Sequence, residues 1–193
     1  KTFQTVLHSK LSINTLINFF DYLEDSFIIN TAKRYDVKGR KYIGSLNKYY
    51  FEDVGLRNAR LNFRQIEETH IMENIIYNEL RFRGFSADVG EISVSEKTER
   101  LDANGKNIYS QKALEVDFIA TLGSQKLYIQ SALSMDSEEK AAQEKKSLYY
   151  IDDSFKKIVV TKNGLKQMQD EKGVVTIDLF DFLLQDRLWK TEN

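Results

Sequence analysis

The apolar positions fall into runs at two spacings, one helical and one strand-like, and their order predicts the elements. Ser12 is a good N-cap, and Ile13, Leu16, Ile17, Phe20 and Leu23 recur at helical spacing, predicting an amphipathic helix over 13–25 with a buried face. Residues 27–34 turn β-like around Ile28 and Ile29. Asp36-Val-Lys-Gly39 reads as a hairpin turn and Lys41 to Ile43 as its return strand. A short aromatic strand begins at Lys48, followed by a Gly55 turn and a brief helix. Residues 69–83 carry the strongest helical pattern, with Ile71, Ile75, Ile76, Tyr77 and Leu80 on one face and Gly84 as the stop. A strand follows over 85–94. Residues 95–110 are polar and read as an exposed loop or hairpin tip around Asn104-Gly105.

The next stretch organises the rest. Residues 113–133, ALEVDFIATLGSQKLYIQSAL, read as two apolar strands joined by a turn at Gly123-Ser124. Each strand carries one polar group where a wholly buried strand would carry none: Asp117 in the first and Gln130 in the second. Beyond it come a helix over 137–150, a strand over 157–161, a short helix or turn over 164–171, a strand over 174–177 and an apolar closing helix over 179–189. From residue 67 onward this order implies an α/β fold, with helices flanking a mixed central sheet. A helix followed by a hairpin at the start matches the second half of a winged helix. The expected organisation is therefore part of a winged-helix module over 1–46, then an α/β domain over 47–193.

Composition narrows the class. The chain has 193 residues, 41% hydrophobic and 30% charged, with no cysteine. Such a chain can bury a full core without disulfides, and the missing thiols fit a reducing cytoplasmic setting. No apolar run approaches the ~20 residues of a membrane span, so no membrane partner is expected. The chain opens at Lys1 without an initiator Met, which reads as a piece of a longer protein. The net charge is −1, so any attraction for nucleic acid must come from local patches. One such patch is the hairpin, where Lys33, Arg34, Lys38, Arg40, Lys41 and Lys48 face Asp36 alone. Lys33, Arg34, Lys38, Arg40 and Lys41 are the candidate phosphate contacts; the competing reading is a solvated edge guarded by charge. Gly39 to Ser45, GRKYIGS, brushes against a phosphate-loop pattern but has Ser45 where the lysine must stand, so no ATP hydrolysis is expected from this chain.

Glu73 on the long helix, then Arg83-Gly84-Phe85, Val116-Asp117-Phe118-Ile119 and Tyr128-Ile129-Gln130-Ser131-Ala132, resemble the PD-(D/E)XK nuclease superfamily, especially its archaeal Holliday-junction resolvases. More closely, YLEDSFIINTAKRYDVKGRK, KYYFEDVGLRNA, MENIIYNELRFRGF, EVDFIA and YIQSAL resemble the C-terminal domain of unknown function found behind a P-loop AAA+ ATPase module in bacteria and archaea. The resemblance implies a restriction-endonuclease-like fold and a catalytic set of Glu73, Asp117 and Gln130, with Glu73 and Asp117 as Mg²⁺ ligands. It also implies DNA and the protein's own ATPase module as partners, with ATP bound only by that module. Carboxylates suit Mg²⁺ because it takes hard oxygen ligands, and a lysine steadies the anionic transition state. The chain departs from the pattern at two positions. Gln130 stands at the second acid, where it offers only a carbonyl oxygen, and Ala132 stands at the lysine. Lys126 shares the strand face of Ala132 but lies roughly 20 Å away by strand rise. Lys145 or Lys146 on the next helix could reach in, and Glu115, two residues before Asp117, is a candidate third acid. The reading carried forward is a nuclease-like accessory domain of an AAA+ ATPase, degenerate in catalysis and binding nucleic acid or a protein partner. A working Mg²⁺-dependent DNA endonuclease and a purely structural or oligomerisation domain are the alternatives.

Overall fold

The computed structural model describes residues 12–64, 66–101, 105–162, 164, 166–185 and 189. Its elements are α1 (Ile13–Asp25), β1 (Ile29–Asp36), β2 (Lys41–Phe51), α2 (Val54–Arg60), α3 (Glu68–Phe82), β3 (Ser86–Leu101) and β4 (Asn107–Leu122). They continue with β5 (Gln125–Ala132), α4 (Glu138–Tyr149), β6 (Lys156–Thr161), β7 (Met168–Gln169), β8 (Val174–Asp178) and α5 (Leu179–Leu184). All eight strands join one sheet, in the order β2-β1-β3-β4-β5-β6-β8-β7. The sheet is mixed: β1–β3, β5–β6 and β6–β8 pair in parallel and the other neighbours antiparallel. The chain is thus α/β, a large mixed sheet flanked by helices. No described helix is long and apolar enough to cross a membrane.

Two apolar clusters cover the two faces. On one, Met72, Ile76, Tyr77 and Leu80 of α3 and Phe182 of α5 pack on Ala32, Tyr50, Phe118 and Ile129. On the other, Leu148 of α4 packs with Ile92, Val116, Ile119, Tyr128 and Val159. The helix over 68–82 ends as its glycine predicts: Gly84 takes φ +87°, and Phe85 N–H donates to the Leu80 carbonyl at 3.0 Å. The Asp36 turn also forms, its carboxylate accepting from Lys38 N–H at 3.1 Å and Gly39 N–H at 2.9 Å.

Four features differ from the expectation. The β1–β2 hairpin does not stand apart as a wing. It enters the main sheet through parallel pairing of Arg34, Tyr35 and Asp36 with Val89, Gly90 and Glu91. The expected domain boundary after residue 46 therefore falls inside β2. The polar stretch after residue 94 is strand, because β3 and β4 keep pairing as far as Leu101 and Asn107, where cross-strand bonds hold the backbone and both faces meet water. In the 164–171 stretch, Met168 and Gln169 form a two-residue strand against β8. Finally, no residue of α1 is buried. It lies at the edge of the sheet, where Phe20 stacks on Tyr49 with ring centroids 4.3 Å apart. The closing helix is α5 through Leu184, and residues 186–188 lie outside the described residues.

One irregularity positions everything that follows. Asp88 pairs with Ile119 and Gly90 with Val116, so β4 spends one residue more than β3 over this step. The extra residue is a β-bulge at Asp117-Phe118, which re-aims both side chains. It brings Val116 and Ile119 together over Gly90, where an added Cβ would stand 2.9 Å from Val116 Cβ and 3.1 Å from Ile119. Gly90→Ala is expected to destabilise the fold by about 1–3 kcal/mol through overpacking, read as a lower urea midpoint at unchanged m-value.

Candidate functional site

The site is built where β4 and β5 part. Their ladder ends at Phe118 opposite Ile129. Beyond that point two side chains replace the missing backbone bonds. Asp117 Oδ2 accepts from Ser131 N–H at 2.8 Å, and Gln130 Oε1 accepts from Asp117 N–H at 3.4 Å. Gln130 also faces α4, accepting from Ser147 Oγ at 3.4 Å. Its amide is therefore engaged in joining strands and helix. The buried Ser131 hydroxyl has no hydrogen-bond partner among the described residues.

The lysine comes from β2. Lys48 Nζ lies 2.8 Å from Glu73 Oε1, 2.7 Å from Glu115 Oε1 and 3.8 Å from Asp117 Oδ1. Tyr50, two residues on and on the same strand face, donates its hydroxyl to Glu73 Oε1 at 2.5 Å. Arg34 on β1 reaches Glu115 at 2.7 Å and Glu91 at 3.7 Å. Glu73, Asp117 and Glu115 are thus brought together as read from the sequence. The cation among them is neither Lys145, which pairs with Asp170 at 2.9 Å, nor Lys146, which pairs with Glu96 at 2.5 Å. Lys48 was legible only as part of the basic hairpin, because its approach depends on β2 lying in the same sheet as β4. Ala132 is buried in the apolar cluster on the α4 face.

Electrostatics follow from the crowding. Burial pushes the Asp117 carboxyl up to about 7, and the negative charge of Glu73 adds to the rise. Burial pushes Glu115 up as well, but Lys48 and Arg34 outweigh it and hold that carboxyl below its ordinary range. For Lys48, burial disfavours the ammonium, while Glu73 and Glu115 together hold it above its usual value. The residues do not fit a preformed Mg²⁺ site. The space between the carboxylates holds the lysine ammonium, and among the described residues no three acidic or histidine side chains are grouped to hold a metal ion.

Two cavities flank the cluster. One, about 310 Å³, is lined by Lys48, Tyr50, Glu73, Arg57 and His70. The other, about 400 Å³, lies toward α4 and is lined by Glu115, Gln130, Lys112, Lys146 and Ser147. The basic set of the hairpin divides. Arg34 serves the acid cluster, while Lys38 and Arg40 line a third cavity on the α4 face. Lys33 and Lys41 are exposed on β1 and β2.

With the geometry in place, comparison with known proteins adds two findings. Residues 2–67 match the family described as a domain of unknown function, DUF8612. The chain is also similar to an uncharacterized protein of Haemophilus influenzae, 32% identical over 174 residues. That alignment covers 90% of this chain and 38% of the relative, so the chain spans well under half of the relative's length. No solved structure matches. Lys48 and Tyr50 fall inside the matched family segment, and Glu73, Glu115 and Asp117 fall outside it.

The folded state keeps a proton on Asp117 that the unfolded chain releases near 3.8. The Asp117 contribution to stability is therefore full below pH 3.8 and lost as pH rises through about 7. Urea midpoints measured across this window are expected to carry a falling component that Asp117→Asn removes. Lys48→Met is expected to cost about 1.5–3 kcal/mol by leaving Glu73 without its cation, Glu115 keeping Arg34, and Glu73→Gln on that background is expected to recover part of the loss.

Proposed function

We propose that the chain is a nuclease-like accessory domain of a longer, ATPase-type protein, and that it binds nucleic acid with its acid centre closed by Lys48. The observation that carries this reading is the Lys48 ammonium seated among Glu73, Glu115 and Asp117. An internal cation does there what a divalent metal does in a cleaving enzyme: it offsets the carboxylates and lets them share a half-buried corner. Gln130, at the second-acid position, holds Asp117 N–H and Ser147 instead of presenting a charge. The restriction-endonuclease-like frame is supported by the order of helix acid, bulged strand acid and returning strand on a mixed sheet. Nucleic acid is supported by Lys38, Arg40 and Lys126 gathered at one cavity, in a chain of net charge −1. The ATPase context rests on the resemblance, and the greater length of the Haemophilus relative leaves room for it.

A second reading, Mg²⁺-dependent DNA cleavage, draws on the gathering of acid: Glu73, Glu115 and Asp117 surround one ammonium, with Arg34 on Glu115, and burial together with Glu73 raises the Asp117 carboxyl. Binding and cleavage assays on duplex, single-stranded and branched DNA separate the two. The proposed domain binds with a steep salt dependence and leaves the DNA intact in Mg²⁺ or Mn²⁺. Metal-dependent cleavage that disappears in Asp117→Ala establishes the second reading. Absence of binding at about 50 mM salt rejects both and points to a structural or protein-binding domain. Mn²⁺ is further expected to raise the Tm of Lys48→Met, where the ammonium is gone, and to leave the parent chain unchanged.

A further inference from the structure

We infer that the third cavity, on the α4 face of the sheet, seats a short unpaired stretch of single-stranded nucleic acid, with bases on Tyr150 and Phe155 and phosphates on Lys38, Arg40 and Lys126. This rests on the nucleic-acid reading and gives it a location and a strand preference. The cavity is about 670 Å³, in the range of sites that hold a nucleotide-sized ligand. It lies on the opposite face from Glu73 and Tyr50: Tyr128 and Ile151, in its lining, belong to the apolar cluster under α4.

Its lining combines exposed aromatic rings with cations. Tyr150 and Phe155 are each 39% exposed, so both rings offer area to a partner. Each has a cation at its face: Lys38 Nζ lies 5.9 Å from the Tyr150 centroid and Lys126 Nζ 5.1 Å from that of Phe155. A ring with an ammonium over one face leaves its other face for a base and holds a cation within reach of the adjoining phosphate. Arg40 adds a third cation from the same turn as Lys38, with its backbone at φ 52°.

The platform is held before any ligand arrives. Ile151 is buried and anchors the segment after α4. Asp153 accepts from the Tyr128 hydroxyl at 2.6 Å and from Phe155 N–H at 3.2 Å, and Lys157 Nζ donates to its carbonyl at 2.6 Å. Lys38 Nζ ties the hairpin turn to the Ser93 carbonyl at 3.2 Å. The lining thus sets three cations against two carboxylates, Asp152 and Asp153, the second of them engaged within the loop. A duplex keeps its bases stacked inside and cannot use recessed rings, whereas a single strand splays them out.

The test is fluorescence anisotropy with a labelled oligo-dT and a labelled mixed-sequence duplex, using the full chain and variants whose fold is checked by circular dichroism. Tyr150→Ala and Phe155→Ala are each expected to weaken oligo-dT binding by about ten-fold and leave duplex binding unchanged. The double variant R40E/K126E is expected to weaken oligo-dT more strongly and to flatten its salt slope. If the parent chain binds both probes and the ring variants bind oligo-dT as it does, the inference falls and the proposed function stands. If the charge variant loses binding while the ring variants do not, the cavity serves an anionic ligand of another class, such as an acidic peptide, and the inference again falls. If the parent chain binds neither probe, the proposed function itself falls.

Discussion

Three carboxylates cannot share a half-buried corner of a sheet without positive charge among them, and most of this structure around the corner serves that requirement. Glu73 arrives on a helix, Glu115 and Asp117 on a central strand, and Lys48 on a strand near the sheet edge. The single ammonium ties all three elements. Tyr50 and Arg34 extend the same network to the hairpin, and burial, with the charge of Glu73 beside it, pushes the Asp117 carboxyl up to about 7. The neighbours of Lys48, Glu115 and Asp117 help set the ionisation of each, so these three are coupled.

The bulge at Asp117-Phe118 makes the network geometrically possible. A regular strand would send adjacent residues to opposite faces. With one residue inserted, Phe118 still enters the core beneath α3 while Asp117 turns to bridge the gap where β4 and β5 separate. Gly90 is the counterpart, since only a residue without a Cβ leaves room for Val116 and Ile119 to converge. Gln130 completes the splice from the opposite strand, which explains a polar residue there without requiring catalysis.

Much of this was legible in the residues. Apolar spacing placed α3, the β4–β5 hairpin and α4, and the Asp36 turn and the Gly84 stop formed as their side chains dictate. The acid members were also recoverable: Asp117 stands out inside an apolar strand, Glu115 lies two residues before it, and Glu73 came from the resemblance. The lysine was not. Lys48 sits in a run of basic residues, and its inward direction follows from β1 pairing in parallel with β3, a contact between distant segments that no local pattern encodes. For the same reason a helix and a hairpin looked like a module of their own. The strands past Val94 were missed because a solvated ladder has no apolar alternation to betray it.

The parallel pairing of β1 with β3 also bears on how the chain assembles. During synthesis the β1–β2 hairpin emerges first and can close locally, but its neighbour in the sheet is not yet made. Until α3 and β3 follow, one edge of the hairpin stays open, and Lys48 has no acid to meet. Contacts of such long sequence separation form late and slowly. The charge cluster therefore exists only once the first and middle thirds of the chain have docked.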